Sequence, residues 1–123
     1  MKKKRVYLAA PYSHADKRVR SSRFAIVTKV AQQLMAQGVL VYSPITHGHT
    51  LAAAGELPGD FQFWSDHCLS FLRHWAEEIW VLAIPGFDSS IGVQAELEEA
   101  RKLGLPVRMC AAFELPKDHP TVQ

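Results

Sequence analysis

The stretch Asp88-Ser-Ser-Ile-Gly-Val-Gln-Ala-Glu-Leu-Glu-Glu-Ala100 is the most informative part of this chain. It follows the apolar run Ile79-Trp-Val-Leu-Ala-Ile84 and precedes Gly104-Leu-Pro106. This order predicts a strand for the apolar run, a turn for the polar residues that follow, and then a helix. The helix should stop at Gly104, because glycine and a following proline commonly end helices. A helix that starts at the end of a buried strand presents free backbone amides, which bind anions. The stretch therefore predicts a small-molecule site.

Three residues of this stretch are candidates for that site. Ser90 and Gly92 lie at the predicted helix start, and Glu96 lies farther along the helix. A carboxylate beside a phosphate-sized binding point indicates chemistry on a small phosphorylated or sugar-bearing molecule. The alternatives are that Ser90 only caps the helix and that Glu96 belongs to a solvated acidic face with Glu98 and Glu99, which the pattern alone favours.

Length and charge limit the class of protein. A chain of 123 residues, 48% hydrophobic, predicts a single domain over residues 1–123. The net charge is only +2, but eight of the fourteen Lys and Arg fall in residues 1–23. This asymmetry is consistent with an anionic ligand near the N-terminal loop, although for residues 2–5 a solvated start of the chain is the favoured alternative. The basic residues are not interleaved with stacking aromatic residues, so no nucleic acid polymer is expected as a partner.

Cysteine usage and hydropathy suggest a cytoplasmic protein. Cys68 and Cys110 have no CxxC spacing, so we expect buried free thiols and no disulfide. No apolar run approaches the roughly 18 residues of a membrane-spanning helix, so no membrane association is expected.

The remaining apolar segments alternate between strand and helix patterns. We predict strands at Val6–Ala10, Val39–Tyr42, Ile79–Ile84 and Val107–Met109, and helices at about Ser21–Gln37 and from an N-cap at Asp60 to about Ala76. Residues 44–59 are predicted to form a functional loop or lid with one or two helical turns at Leu51–Ala54. This alternation predicts an α/β fold, a three-layer α/β/α sandwich around a mostly parallel sheet.

Ligands of such sheets bind at the carboxyl ends of the strands. Three predicted loops should meet there, at Ala9–Ser13, Ser43–His49 and Pro85–Ser90. Asp66, in the predicted helix from Asp60 to about Ala76, either faces this edge, forming with Glu96 a carboxylate pair suited to glycosidic bond cleavage, or is an ordinary exposed carboxylate.

Other chemistry has weaker support. Tyr7 either orients a carboxylate from the end of the first strand or is a core tyrosine that reaches the surface. His47 and His49 would point the same way on an extended chain, but no third ligand has a convincing spacing, so no metal site is predicted. GxGxxG and P-loop motifs are absent, so no dinucleotide cofactor is expected, and the absence of GxSxG argues against a serine nucleophile.

With these residues in place, the chain resembles the nucleoside 2-deoxyribosyltransferase-like superfamily, particularly its branch of small bacterial and phage proteins. Val6-Tyr-Leu-Ala-Ala-Pro-Tyr-Ser13 is similar to that family's first strand and loop, and Ser90-Ile-Gly-Val-Gln-Ala-Glu-Leu97 to the segment that carries its nucleophilic glutamate. The Ser-x-Gly-x-x-x-Glu spacing is the specific part. With Trp64-Ser-Asp66 and Ser43-Pro44, the resemblance spans about residues 5 to 109.

The resemblance implies a flavodoxin-like sheet and roles for individual residues. Glu96 would attack the anomeric carbon of a ribosyl or deoxyribosyl group, Asp66 would assist protonation of the leaving base or position Glu96, and Tyr7 would hold the carboxylate. Ser90 and the amide of Gly92 would bind a 5′ substituent, as in the deoxynucleoside monophosphate N-glycosidases of the superfamily. The resemblance also implies substrate contacts at Ala9, Pro11 and Tyr12.

The implied ligand is a nucleoside or nucleotide, with no metal and no cofactor, and the implied assembly is a homo-oligomer. The loop after the first strand reads Pro11-Tyr-Ser-His14 where the family has a Gly-Ser-Ile-Arg phosphate loop, so Arg18 or Arg20 is the candidate substitute. The alternative function is a non-catalytic nucleotide-binding or sensing module of the same fold. A scaffold that binds partners through its Trp and Phe surface is a weaker one.

Overall fold

Alternating strands and helices build a parallel sheet with helices on both faces. The computed structural model describes residues 3–58 and 61–111. Within these residues the four strands form one parallel sheet in the order β2-β1-β3-β4. The elements are β1 (Arg5–Ala9), α1 (Lys17–Ala36), β2 (Leu40–Tyr42), α2 (Pro44–Ala54), α3 (Phe61–His74), β3 (Glu78–Leu82), α4 (Ile91–Leu103) and β4 (Val107–Cys110). The predicted three-layer α/β/α fold is confirmed.

Strand β1 divides the core into two layers because its side chains alternate between the faces of the sheet. Leu8 and Ala10 pack in a cluster with α1, whereas Tyr7 and Ala9 pack with Leu72 of α3 and with α4. All four β1 side chains from Val6 to Ala9 are fully buried. A strand buried on both faces reads as a continuous apolar run, which is why the sequence revealed it.

Two helices differ from the prediction. Helix α1 begins at Lys17, four residues before the predicted start, because the Asp16 side chain accepts a hydrogen bond from the Arg18 amide and caps it. The prediction of a long loop over residues 44–59 was wrong, since most of it is α2. Ser43 caps α2 and Pro44 occupies its first turn, where the missing N–H of proline does no harm.

The prediction for α4 is confirmed at both ends. The Ser90 side chain caps its first turn, and Gly104 ends it in the left-handed conformation at φ 71°. The predicted N-cap at Asp60 and the tail from residue 112 lie outside the described residues. Cys68 and Cys110 are free, as predicted, but both are partly rather than fully buried. Among the described helices, none is long and apolar enough to cross a membrane.

A buried arginine joins two loops at the carboxyl edge of the sheet. The guanidinium of Arg23, on α1, donates to the carbonyl oxygens of Ser13 (3.0 Å) and Pro85 (3.3 Å). Arg23 is only 5% exposed, and burial lowers its pKa. These contacts hold the loop after β1 against the loop after β3, which supports the predicted meeting of the two loops. This packing requires glycine at position 86, because a Cβ there would lie 2.6 Å from Arg23 Nη2.

Gly86→Ala should therefore destabilise the protein more than Gly38→Ala. Both glycines have positive φ, 98° and 94°, so alanine strains the backbone by about 1–2 kcal/mol at either position. Only Gly86→Ala also displaces a buried charged group from its acceptors, which should cost roughly 1.5–3 kcal/mol more. Urea unfolding of both variants measures the difference. Equal destabilisation would show that the arginine contacts add nothing to stability.

Candidate active site

Glu96 lies in the second turn of α4, and its position is set from the helix start. The Ser90 hydroxyl accepts a hydrogen bond from the Val93 amide (3.2 Å) and so fixes where the helix begins. Val93 is buried against the sheet, and Glu96, three residues later, falls on the same side of the helix. The interpretation of Glu96 as part of a solvated acidic face is not what the structure shows. Its neighbour Glu98 is the exposed one.

The Glu96 carboxylate meets the phenol of the central strand. The fully buried Tyr7 donates its hydroxyl proton to Oε2 of Glu96 in a short hydrogen bond. Burial raises the pKa of Glu96 to about 7, and the Tyr7 hydrogen bond acts in the opposite direction because it favours the carboxylate. Burial, followed by the Glu96 charge, holds the pKa of Tyr7 well above its ordinary value. Tyr7 thus remains a donor while Glu96 gains and loses a proton near neutral pH.

Two further polar side chains lie beside this pair, and the sequence analysis missed both. Burial and then the charge of Glu96 raise the pKa of the Cys68 thiol to about 11. Burial is also the main reason that the pKa of Tyr42 is raised, with smaller contributions from Cys68 and Glu96. Cys68 was interpreted only as a core residue and Tyr42 only as the end of a strand. The only signal that could have identified Tyr42 is its pairing with Tyr7 in an adjacent strand. That pairing depends on the order of strands in the sheet, which the sequence does not reveal.

Asp66 is not brought to the Tyr7–Glu96 pair in this chain. Its carboxylate is exposed and accepts a hydrogen bond from Gln62 (2.7 Å), one turn earlier on α3. Two residues along a helix are about 200° apart around its axis, so Asp66 and Cys68 lie on opposite sides of α3. The predicted role of Asp66 in catalysis stays a prediction.

The predicted substrate-binding residues of the first loop lie at the carboxyl edge of the sheet. Ala9 and Pro11 are fully buried, and Tyr12 is partly buried. The Tyr12 hydroxyl is hydrogen-bonded to Nδ1 of His49 (2.7 Å), whose ring stacks on Phe24 at 4.0 Å. This contact joins the first loop to α2.

The remaining predicted ligand contacts are arranged as follows. Gly92 is exposed, so the start of α4 is open to solvent beside it. Arg18 pairs with Asp16 at 3.0 Å and is 92% exposed, whereas Arg20 donates to the carbonyl oxygens of His14 and Ala15. Neither arginine contacts the Tyr7–Glu96 pair. Their role in binding phosphate stays a prediction.

The two histidines of α2 point away from each other because the segment is helical and not extended. His47 lies beside Tyr42 (5.7 Å between ring centroids) and stacks on His67 of α3 at 5.4 Å, whereas His49 faces Tyr12. No group of three or more His, Cys, Asp or Glu in the described part of the chain could hold a metal ion.

An apolar groove opens next to His67. It has a volume of about 430 Å³ and lies between α2, α3 and the chain that leaves α2. Its lining consists of Leu51, Ala54, Gly55, Glu56, Leu57, Phe63, Trp64 and His67. The stacked His47 and His67 therefore connect the surroundings of Tyr42 with an apolar surface suited to a flat ring.

The raised pKa of Glu96 predicts a pH-dependent cost to stability. The Glu96 carboxyl group has a pKa near 4.5 in the unfolded chain and about 7 in the folded protein, so the folded state binds its proton more tightly. The stability that this proton contributes is lost as the pH rises above about 4.5. Wild type should therefore lose roughly 3 kcal/mol of unfolding free energy relative to Glu96→Gln between pH 4 and pH 8. Chemical denaturation at both pH values measures this. Glu98→Gln, on the exposed face of the same helix, is the matched control, and an equal pH response of the two variants would contradict the prediction.

Comparison with known proteins adds a family and a fold. No curated protein matches the chain. Among solved structures it is similar to 2-deoxyribosyltransferase from the psychrotolerant bacterium Bacillus psychrosaccharolyticus, with 24% sequence identity and a TM-score of 0.58. The match covers 92% of this chain and 77% of that one. The chain therefore has a nucleoside deoxyribosyltransferase-like fold, in agreement with the flavodoxin-like sheet expected from the resemblance.

The family is shown by a match along most of the chain. The family described as Domain of unknown function (DUF1937) matches residues 4–112, which include both Tyr7 and Glu96. This chain belongs to that family.

Proposed function

We propose that this protein cleaves or transfers at the N-glycosidic bond of a nucleoside or nucleoside 5′-monophosphate, with Glu96 as the nucleophile. The observation that carries the proposal is the hydrogen bond from buried Tyr7 to a Glu96 carboxyl group whose pKa is about 7. A perturbed carboxyl group held by a second polar side chain is typical of active sites. The fold shared with a protein described as a 2-deoxyribosyltransferase and a biocatalyst for nucleoside synthesis adds support.

The reaction proceeds by double displacement. An oxygen of ionised Glu96 attacks the anomeric carbon, the bond from that carbon to the base nitrogen breaks, and the base leaves with the electron pair and takes up a proton. The result is a glycosyl ester of Glu96. Water or a second base then attacks the same carbon, loses a proton, and releases the carboxylate. Water gives hydrolysis, and a base gives transfer.

Tyr7 serves this reaction by holding the carboxylate. Its donated hydrogen bond orients Glu96 and favours the ionised form that attacks, against the burial that raises the pKa. Burial in turn makes the carboxylate more reactive, because less solvation is lost on attack.

The proposed ligand contacts surround this carboxylate. Free amides at the start of α4, with Ser90 and Gly92, bind a 5′ substituent, since a helix N-terminus favours anions. Ala9, Pro11 and Tyr12 form the edge beside the sugar. The base lies toward the groove that His67 lines, where aromatic and apolar side chains offer a stacking surface. A second subunit that completes the site is part of this proposal.

One observation favours the second candidate, a non-catalytic nucleotide-binding module. Retaining glycosidases have two carboxyl groups roughly 5 to 5.5 Å apart, but Asp66 is directed to Gln62 on the exposed side of α3. A site with one carboxylate binds a nucleoside without supplying the acid for the leaving base.

Base release decides between the two candidates. Wild type, Glu96→Ala and the exposed-face control Glu98→Ala are incubated with nucleosides and 5′-monophosphates, with and without an acceptor base, and free base is measured by chromatography. We expect release by wild type and Glu98→Ala, and a loss of at least about 10³-fold in Glu96→Ala, because the nucleophile is removed. Undiminished release by Glu96→Ala overturns the nucleophile. Binding without release by wild type supports the binding module.

The predicted part of Asp66 is tested in the same assay. A general acid contributes about 10²–10⁴-fold, so Asp66→Asn should lower kcat by that much if its carboxyl group protonates the leaving base. Gln62→Ala, which removes the partner of Asp66 and keeps the carboxylate, is the matched control. A change in kcat of less than about tenfold in Asp66→Asn would contradict the role.

A further inference from the structure

A second phenol lies next to the Tyr7–Glu96 pair because of the strand register. Tyr42 is the partner of Tyr7 in the parallel pairing of β2 with β1, so both side chains leave the same face of the sheet. Their ring centroids are 5.6 Å apart. Tyr42 is the last residue of β2 and therefore stands at the carboxyl edge, where ligands of this fold class bind.

The ring of Tyr42 is held in place by its neighbours. Phe71 of α3 stacks on it at 3.8 Å with an angle of 10° between the planes. His47 of α2 contacts it at 5.7 Å between centroids. Packing between Tyr7, Phe71 and His47 fixes where the hydroxyl group points, so a polar partner there would be recognised by position.

The Tyr42 hydroxyl group is buried and makes no well-formed hydrogen bond to a described residue, although the Cys68 thiol, a weak hydrogen-bonding group, lies beside it. Tyr7, its neighbour, uses its own hydroxyl to bind Glu96. A buried polar group left without a partner costs roughly 1–3 kcal/mol, which is more than a stably folded core usually accepts without a reason. Burial raises the pKa of this phenol and nearby Glu96 adds to the effect, so the group stays protonated and is available as a donor.

The stereochemistry of nucleosides says what that donor would meet. In a β-nucleoside the base lies on one face of the furanose ring, and the 2′- and 3′-hydroxyl groups lie on the other. A nucleophile that displaces the base approaches from the face of the hydroxyl groups. A donor adjacent to Glu96 therefore faces a sugar hydroxyl group during attack.

We propose that Tyr42 is a specificity-determining residue, whose buried hydroxyl donates a hydrogen bond to the 2′- or 3′-hydroxyl group of the sugar that Glu96 attacks. The inference rests on the proposed function for the identity of the ligand. The inference goes beyond the proposed function because it names the residue that distinguishes sugars with the hydroxyl group from sugars without it. Sites that bind a substrate hydroxyl group discriminate strongly against analogues that lack it.

Tyr42→Phe tests the proposal because it removes one oxygen and keeps the stacked ring. The substrates are the ribonucleoside, 2′-deoxynucleoside and 3′-deoxynucleoside of one base, and kcat/KM is measured for each. We expect a loss of roughly 10- to 100-fold for the substrates that carry the recognised hydroxyl group, and little change for the analogue without it. The analogue that escapes the loss identifies the 2′ or the 3′ position. An equal loss for all three sugars, or no loss, overturns the proposal.

Calorimetric binding of the same three ligands to wild type and Tyr42→Phe separates this inference from the proposed reaction. A changed binding ratio without turnover by wild type upholds Tyr42 and refutes the glycosidic activity. Turnover with unchanged ratios refutes Tyr42 alone. Absence of both binding and turnover refutes both. Tyr42→Phe should melt no lower than wild type, because the lost hydroxyl group makes no well-formed hydrogen bond to any residue that the structure describes. A lower melting temperature with unchanged ratios assigns Tyr42 to packing.

Discussion

The hydrogen bond between Tyr7 and Glu96 connects the centre of the sheet to the helix that carries the candidate nucleophile. It joins residues that are 89 positions apart in the chain, so it forms only once β1 lies between β2 and β3 and α4 has packed against them. The side chain of Tyr7 has no freedom to move, since it is fully buried. The position of the Glu96 carboxylate is thus set by β1, the strand whose side chains from Val6 to Ala9 are all fully buried. The loops of the proposed binding site are arranged around a carboxylate that a core residue holds.

Departures from good packing chemistry are concentrated at this edge of the sheet. Glu96 has its carboxyl group buried, and the guanidinium of Arg23 is buried against carbonyl acceptors. Within residues 3–58 and 61–111, the Tyr42 hydroxyl and the Nε of Arg23 have no well-formed hydrogen bond. Each of these raises the free energy of the folded state. Proteins tolerate such features mainly where they are used, which is why their convergence supports a functional site more strongly than any one of them.

Most of the fold, and part of the candidate site, could be predicted from the sequence. Strand β1 and helix α4 were predictable because an unbroken apolar run and the pair Ser90 and Gly104 are local signals. Helix α2 was missed because residues 44–59 were predicted to form a loop, whereas Pro44 in the first turn is compatible with a helix after a capping serine. Glu96 and Tyr7 came from spacing and resemblance.

The parts of the site that could not be predicted depend on contacts between distant residues. Tyr42 joins the site through its register with Tyr7, and Cys68 through the rotation of α3 about its axis. The direction of Asp66 depends on that same rotation. A sequence pattern defines the faces of one helix but not which face a neighbouring element covers, so these three residues required the structure.

Arg23 has a consequence for how the site responds to acid. The guanidinium holds the loops after β1 and β3 through neutral carbonyl oxygens, and none of the three groups changes its charge between about pH 5 and 9, where arginine stays protonated. A carboxylate in place of either carbonyl would have made the junction of the two loops sensitive to protonation. The positions of these two loops therefore do not depend on whether Glu96 is ionised. Proton uptake changes the charge of the proposed nucleophile, while the two loops joined by Arg23 keep their positions.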